Sequence, residues 1–210
     1  MNISISLSLL VLAAFLATPV QAALSSTVTY DYGTVSTHLP TSPGSGASSP
    51  DSVSIVKQDQ TGFSDTFLFD GFATITRATI SVTHNGNFDT ILPTGYGENW
   101  QILLNGSPVA GGSLSNSFYD WTTGTLISGW KTDIFTLDSA ALASLNSGRT
   151  PLTALISFTD PTLGQNIFSL HSISFSVTGD PTPVPLPATL VLFAPGLLMV
   201  RLICRRQEMV

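Results

Sequence analysis

Residues 73–84 read ATITRATISVTH, a twelve-residue alternation rich in β-branched side chains. Because side chains along a strand point to opposite faces in turn, this pattern predicts a long, half-buried β-strand. The run ends at Asn85-Gly86, a dipeptide typical of tight hairpin turns. The stretch therefore predicts that the central part of the chain is built from β-sheet.

Shorter segments on both sides of this run show the same pattern. Residues 100–104 form a second predicted strand, which turns at Asn105-Gly106 into residues 107–110. Further strands are predicted at 53–56, 66–69, 133–136, 152–159 and 173–177. Many short strands separated by turns indicate an all-β fold, here a β-sandwich of the jelly-roll type.

Two other local predictions complete this central region. Residues 139–145 are expected to form one short helix, with Asp138 as its N-cap and Gly148 just past its end. Residues 37–50 are mostly Ser, Gly and Pro and are expected to form a mobile loop. The domain built from these elements is predicted to span residues 23–180.

The charge of this domain excludes one class of partner. Residues 23–180 contain twelve acidic and four basic side chains, a net charge of −8. Such a surface repels phosphate backbones, so we expect no nucleic-acid partner. Solvation explains the acidic residues, and a calcium site built from some of them is the alternative. The single cysteine, Cys204, excludes disulfides and thiolate zinc sites within this domain.

The N-terminus has the features of a signal peptide. Residues 7–16 are apolar except for Ser8, and this run is shorter than the roughly 20 residues that a membrane span needs. Small residues, Val20 and Ala22, stand at the −3 and −1 positions of a cleavage site. We therefore predict a signal helix over residues 1–22, cut by signal peptidase between Ala22 and Ala23.

The C-terminus combines a proline-rich segment with an apolar one. Residues 181–188 read PTPVPLPA and are expected to be an extended, exposed hinge. The nineteen residues 186–204 would span roughly 28 Å as a helix, about one hydrocarbon thickness. Arg201, Arg205 and Arg206 are expected to keep that end cytoplasmic. We predict a transmembrane segment and basic tail over residues 189–210.

These C-terminal residues resemble the PEP-CTERM sorting signals of bacterial exosortase substrates. Val184, Pro185, Leu186, Pro187 and Ala188 match the Val-Pro-Leu-Pro-Ala variant of that signal, and an apolar span and an arginine cluster follow. The resemblance implies that an exosortase-type membrane transpeptidase cleaves near the motif and transfers the ectodomain to another attachment. It also implies a precursor in the inner membrane and a mature protein on the cell surface or in extracellular polysaccharide.

Two other interpretations of the same residues stay open. Residues 186–190, LPATL, resemble the Leu-Pro-x-Thr-Gly signal of Gram-positive sortases, with Leu190 in place of the glycine. The apolar segment could also serve as a plain membrane anchor.

A second resemblance lies within the predicted β-domain. Residues 63–67, FSDTF, resemble the Phe-x-Asp-x-Phe signature of a group of PEP-CTERM ectodomains. Phe63, Phe67 and Phe69 are expected to fill the core of the sandwich. Asp65 is expected to accept hydrogen bonds from backbone amides at a strand start.

The sequence contains no recognisable catalytic pattern. His38, His84 and His171 match no metal or nucleophile spacing, so we expect neither an enzyme nor a cofactor nor a metal site. The favoured function is a structural or interaction role in extracellular polysaccharide, and the alternative is a carbohydrate-binding module. Trp100, Trp121 and Trp130 are candidates for stacking on sugar rings, with packing in the core as the alternative.

Overall fold

The computed structural model describes residues 22–44, 46, 48–56, 62–85, 99–115, 119–120, 125–126, 129–148, 151–161 and 167–183. Ala22 and Ala23 lie just before the first strand and are exposed. The signal segment before Ala22, the motif 184–188, the basic residues of the tail and Trp121 lie outside these ranges. Within the described ranges, no helix has the length and apolar character needed to cross a membrane.

The described residues form twelve strands and one helix. The strands are β1 Leu24–Asp31, β2 Ser48–Ser49, β3 Ser52–Val56, β4 Ser64–Phe69, β5 Phe72–Asn85, β6 Gln101–Leu104, β7 Ser107–Ser113, β8 Tyr119–Asp120, β9 Thr125–Leu126, β10 Lys131–Thr136, β11 Leu152–Thr159 and β12 Ile167–Pro181. The helix, α1, is Ser139–Asn146. The prediction of a mostly β fold with one short helix is therefore confirmed.

Two antiparallel sheets pack face to face. The large sheet has the order β10-β5-β12-β3-β2, with β1 also paired to β12, and the small sheet has the order β4-β11-β6-β7. Phe67 and Phe69 of β4 lie 5.7 and 5.0 Å, between ring centroids, from Phe175 of β12. Both sheets contribute buried side chains to one hydrophobic core. The fold is thus a β-sandwich, and the finer jelly-roll expectation stays a prediction.

Local signals in the sequence explain several of these elements. Residues 73–84 lie in β5, where Ile80 and Val82 are fully buried in the core. The turn between β6 and β7 has positive φ at both Asn105 and Gly106, 51° and 81°, as a type I′ hairpin requires. Asp138 caps α1, since its carboxylate accepts a hydrogen bond from Ala141 N at 2.9 Å.

The structure also differs from the expectations at two ends of the sheet. Strand β1 was not among the predicted strands, and its inward-facing residues Val28 and Tyr30 are only half-buried. Strand β12 is longer than the predicted 173–177 and includes Pro181, which pairs with Phe72. The first residue of the predicted proline-rich hinge therefore lies in the sheet, at a terminal position where proline is tolerated.

Strand β12 changes its partner halfway along, and this change positions the site described next. On one edge, residues 167–170 pair with β3, whereas residues 172–179 pair with β1. The register against β5 shifts between Leu170 and Ser172, so His171 is the extra residue of a bulge. His171 thus lies between the end of β1 and the start of β3, inside β12 rather than at its start.

Candidate ligand-binding cleft

A loop of residues 32–38, here called the β1 loop, leaves the sheet at this change of partner. Tyr32 N donates to His171 O at 2.8 Å, and Thr34 N donates to Ser49 O at 2.7 Å. At Gly33, φ is +135°, and a Cβ atom there would lie 2.7 Å from Ser52 N. Only glycine allows the loop to pass this close to β3.

A buried carboxylate connects the β1 loop to the small sheet. Asp65 of β4 points inward and is 1% exposed. Its Oδ2 accepts from the hydroxyl of Tyr32 at 2.8 Å and lies 2.6 Å from Nε2 of His38. Its Oδ1 accepts from Thr66 N at 2.8 Å. These contacts compensate the cost of burying a polar group. The predicted bond to a backbone amide is confirmed, whereas Tyr32 and His38 were not anticipated as partners.

Aromatic rings link this carboxylate to the surface. The rings of Tyr30 and His38 are stacked, with centroids 3.6 Å apart and planes 5° from parallel. Tyr30 also contacts Phe67 of the core at 4.6 Å. Burial raises the pKa of both Tyr30 and Tyr32, and the charge of Asp65 raises them further. Both phenols are therefore neutral at ordinary pH, and Tyr32 is a hydrogen-bond donor.

Beside these rings the structure has a cleft of about 450 Å³. Its walls are residues 29–32 of β1 and its end, residues 35–38 of the β1 loop, Pro50 with Asp51, and His171. Among the described residues of the wall, Asp31, Asp51, His38 and His171 are the titratable side chains apart from the two tyrosines, and none is Lys or Arg. The volume lies within the range usual for small-molecule sites, about 300–1,000 Å³.

The rim of the cleft adds one exposed aromatic ring. His171 Nδ1 lies 2.6 Å from the carbonyl oxygen of Asp51. Since a carbonyl only accepts, Nδ1 carries a proton and donates it to Asp51 O. Trp130 packs against the His171 ring with centroids 5.1 Å apart, and 38% of its surface is exposed.

The three tryptophans proposed for sugar stacking therefore have different outcomes in the structure. Trp100 is 3% exposed and packs on Phe168 at 4.8 Å, so stacking on a sugar is wrong for this residue. The physical reason is that Trp100 precedes β6 on the side that faces the core. Trp121 lies outside the described residues. Trp130 is 38% exposed and packs on His171, a residue of the cleft wall, so its use for stacking stays a prediction.

Sequence reasoning missed Tyr30 and Tyr32 as residues of this cleft. One signal was available, since Val28 and Tyr30 alternate along one face of a polar, β-branched strand. The loop residues His38 and Asp51 have no periodic signal. Among the described residues, no group of three or more His, Cys, Asp and Glu side chains could hold a metal ion. The described wall of the cleft presents aromatic rings, hydroxyls, imidazoles and carboxylates.

Comparisons with known proteins show similarity only to solved structures. No family model matches the chain, and no curated protein matches it. The crystal structure of dimeric latent PorU from Porphyromonas gingivalis is similar at 10% identity and a TM-score of 0.46, covering 76% of this chain and 13% of that chain. CBM35 from Cellvibrio japonicus Abf62 is similar at 12% identity and a TM-score of 0.35, and the match covers 75% of this chain and 100% of that chain. BuGH86 in complex with neoagarooctaose gives 14% identity and a TM-score of 0.32, covering 75% and 19%.

Proposed function

We propose that this protein is an exported surface protein that binds a neutral polysaccharide through the cleft at the end of β1. The observation that carries the proposal is the stacked pair of Tyr30 and His38 in the wall of a cleft whose described residues include neither Lys nor Arg. The protein acts by binding and has a structural role in extracellular polysaccharide.

The aromatic pair supplies the surface on which a sugar ring packs. Apolar C–H faces of sugars pack against aromatic rings, and Tyr and Trp also offer a polar group beside that face. Tyr30 is held from behind by Phe67 at 4.6 Å, and His38 is held by Asp65 at 2.6 Å. Because both rings are fixed before a ligand arrives, binding loses little side-chain entropy.

The polar groups of the wall select the charge of the ligand. The carboxylates of Asp31 and Asp51 accept hydrogen bonds, and the Thr37 hydroxyl can both donate and accept, whereas the O–H of Ser36 already donates to the carbonyl oxygen of Asp31. Sugar hydroxyls satisfy both kinds of group. A uronate or sulfate group would meet the two carboxylates of Asp31 and Asp51, so its charge opposes binding. The ligand class is therefore a neutral sugar.

The proposal is tested by titrating the full-length chain, in mild detergent, with neutral and uronic oligosaccharides in a calorimeter. Tyr30→Ala removes the ring on which His38 is stacked and is expected to weaken binding of the neutral sugar at least tenfold, as for an aromatic hot spot. Leu68→Ala is the matched control, since Leu68 is 52% exposed on the small sheet. Equal binding by Tyr30→Ala and wild type, or a preference for uronic sugars, would contradict the proposal. Release of reducing ends from the oligosaccharides would show that the protein hydrolyses its ligand rather than only binding it.

Export and sorting form the second part of the proposal. Their support is the order of sequence features: a signal segment ending at Ala22, the motif Val184 to Ala188, an apolar span and the basic residues. We propose cleavage by signal peptidase, insertion of the tail in the inner membrane and processing by an exosortase-type transpeptidase. The mature protein then resides on the cell surface or in the extracellular matrix.

Sorting is tested with the double variant Pro185→Ala/Pro187→Ala in a host that has its own sorting enzyme. Prolines keep the motif extended, and alanines let helix form through it, which hides the bond. Full-length precursor is expected to accumulate in the inner membrane, while wild type loses its tail. If intact mass shows that wild type keeps Val210 at steady state, the segment is a plain anchor.

A further inference from the structure

The outer face of the large sheet has an unusual composition. The middle part of its outward surface on the four neighbouring strands β1, β12, β5 and β10, which leaves out the outward Ala73, Arg77, Asn85 and Asp180 at the ends of β5 and β12, is here called the hydroxyl face. Its side chains are Ser25, Thr27, Thr29, Ser172, Ser174, Ser176, Thr178, Thr79, Ser81, Thr83, Thr132, Ile134 and Thr136. All of them except Ile134 carry a hydroxyl group. Charged side chains stand at its borders, Asp31 beside Ser172 and Arg77 beside Thr178.

Hydrogen bonds between neighbouring strands hold eight of these twelve hydroxyls in cross-strand pairs. The pairs are Ser25–Thr178 at 3.0 Å, Thr27–Ser176 at 2.8 Å, Thr29–Ser174 at 2.7 Å and Thr83–Thr132 at 2.9 Å. In each pair one O–H donates to the other oxygen, which leaves the second O–H and several lone pairs for another partner. Strand spacing places neighbouring side chains of the face about 4.8 Å apart across the sheet and roughly 6.7 Å apart along it. The face therefore presents ordered donors and acceptors.

The absence of charge within the face indicates its partner. Residues 23–180 contain twelve acidic and four basic side chains. Within the described residues, none of these charges lies inside the borders of the face. A protein partner would need an apolar centre, but the face offers one exposed aliphatic side chain, Ile134. An uncharged polymer rich in hydroxyls matches it better.

The hydroxyl face is continuous with the cleft. Thr29 belongs to the face and also lines the cleft, as does the border residue Asp31. At the same end, Trp130 precedes β10 and packs on His171. A polymer held at the cleft can therefore continue over the strands by way of Thr29, passing beside Asp31.

We propose that the hydroxyl face is a second contact surface, on which a neutral polysaccharide chain lies after its end or one of its units is held in the cleft. This inference rests on the proposed function. Hydroxyls held by cross-strand bonds, many of them on β-branched Thr, lose little freedom on contact. Many weak contacts along one chain then add to the cleft through effective concentration.

The test compares polymers with short fragments on the full-length protein. The probes are a soluble β-glucan, a galactomannan and a dextran, each as polymer and as tetrasaccharide. Ser176→Glu places a charge at the centre of the face, and Thr153→Glu places the same charge on the outer side of β11 in the small sheet. Ser176→Glu is expected to weaken polymer binding at least tenfold and to leave tetrasaccharide binding unchanged. Thr153→Glu is expected to change neither.

Three results would overturn the inference. They are unchanged polymer binding by Ser176→Glu, equal affinity of wild type for polymer and tetrasaccharide, and a change of mass in light scattering that marks the face as a contact between two copies. Thr27→Glu, at an exposed position, repeats the test if Ser176→Glu lowers the melting temperature. If Ser176→Glu does not weaken polymer binding while wild type still binds the tetrasaccharide, the inference about the hydroxyl face is refuted and the proposed function is not. If wild type binds no tetrasaccharide, the cleft is refuted whatever the polymer does.

Discussion

Two histidine–aspartate pairs in this protein have similar lengths and opposite burial. His38 Nε2 lies 2.6 Å from Asp65, with side chains 24% and 2% exposed, whereas His84 Nε2 lies 2.9 Å from Asp133, with side chains 0% and 18% exposed. The first pair joins the β1 loop to the small sheet beside the cleft. The second joins β5 to β10 within the large sheet. In the first pair the buried side chain is the carboxylate, and in the second it is the imidazole. The identity of the buried side chain determines how each pair affects stability.

A buried carboxylate and a buried imidazole are stabilised in different ways. Asp65 is surrounded by three donors, from Tyr32, His38 and Thr66, because a charged group without partners is very costly in the interior. Burial lowers the pKa of His84, and this outweighs the bond to Asp133, which raises it. His84 is thus neutral at ordinary pH and donates Nε2–H to the carboxylate.

The largest expected effect is on stability when each carboxylate is removed. Asp65→Ala leaves the buried Tyr32 hydroxyl and His38 without their acceptor and should lower the free energy of unfolding by about 3–5 kcal/mol. Asp133→Ala leaves His84 and the Ser115 amide without this acceptor at a more exposed site, and should cost about 1–3 kcal/mol. Urea unfolding followed by tryptophan fluorescence measures both.

Asp65→Asn is the control for this comparison, since an amide keeps an acceptor for the Tyr32 hydroxyl. Asp65→Asn should lower the free energy of unfolding by less than Asp65→Ala does. Equal losses for Asp65→Ala and Asp133→Ala would show that burial of the carboxylate is unimportant, and the contrast between the two pairs would disappear.

The two pairs also show how far sequence reasoning reaches. Strand β5 and the Asn105-Gly106 turn were predictable because side-chain alternation and positive φ are local properties. The Phe63 and Phe67 positions were predictable for the same reason, and both are buried. Asp65, in contrast, meets partners 33 and 27 residues away along the chain. No spacing rule predicts such contacts.

Residues of the same type can also differ in burial in a way that only the structure shows. Trp100 and Trp130 are indistinguishable in a sequence window, yet one is 3% and the other 38% exposed. The difference comes from the direction of each side chain, since Trp100, before β6, faces the core and Trp130, before β10, faces outward. Strand β1 was missed because it is an edge strand whose inward face is only half-buried, so its polar residues dilute the alternation.

The second expected effect is a pH dependence that belongs to the His84 pair. The pKa of His84 is lowered from 6.5 in the fold, so the unfolded chain binds more protons as the pH falls below about 6.5. Stability is therefore complete above that pH and decreases below it, by at most about 1.4 kcal/mol per pH unit. Burial raises the pKa of Asp133, but the bonds from Ser115 and His84 outweigh it, so the pKa is lowered from 3.8 and further stability is lost below that pH.

His84→Gln isolates the contribution of the imidazole, because glutamine can donate to Asp133 and does not titrate. Urea unfolding at a series of pH values from 8 to 5 should show a smaller slope below about pH 6.5 for this variant than for wild type. Lys131, whose charge also lowers the pKa of His84, is unchanged in it. Parallel slopes for the two proteins would assign the pH dependence to other groups.

The smallest expected effect sharpens the comparison at Asp65 itself. Tyr32→Phe removes one of its donors, the hydroxyl at 2.8 Å, and keeps the ring that packs edge-on against Phe63 at 5.1 Å. Loss of a hydrogen bond to a charged group should cost about 1.5–3 kcal/mol, and the lower end is expected because His38 and Thr66 still donate to the same carboxylate. Tyr30→Phe is the matched control, since within the described residues the Tyr30 hydroxyl has no hydrogen-bond partner while its ring stacks on His38. That variant should unfold within about 0.5 kcal/mol of wild type. If Tyr30→Phe is as destabilising as Tyr32→Phe, the carboxylate is stabilised by aromatic packing rather than by its donors, and the two histidine–aspartate pairs differ less than their burial indicates.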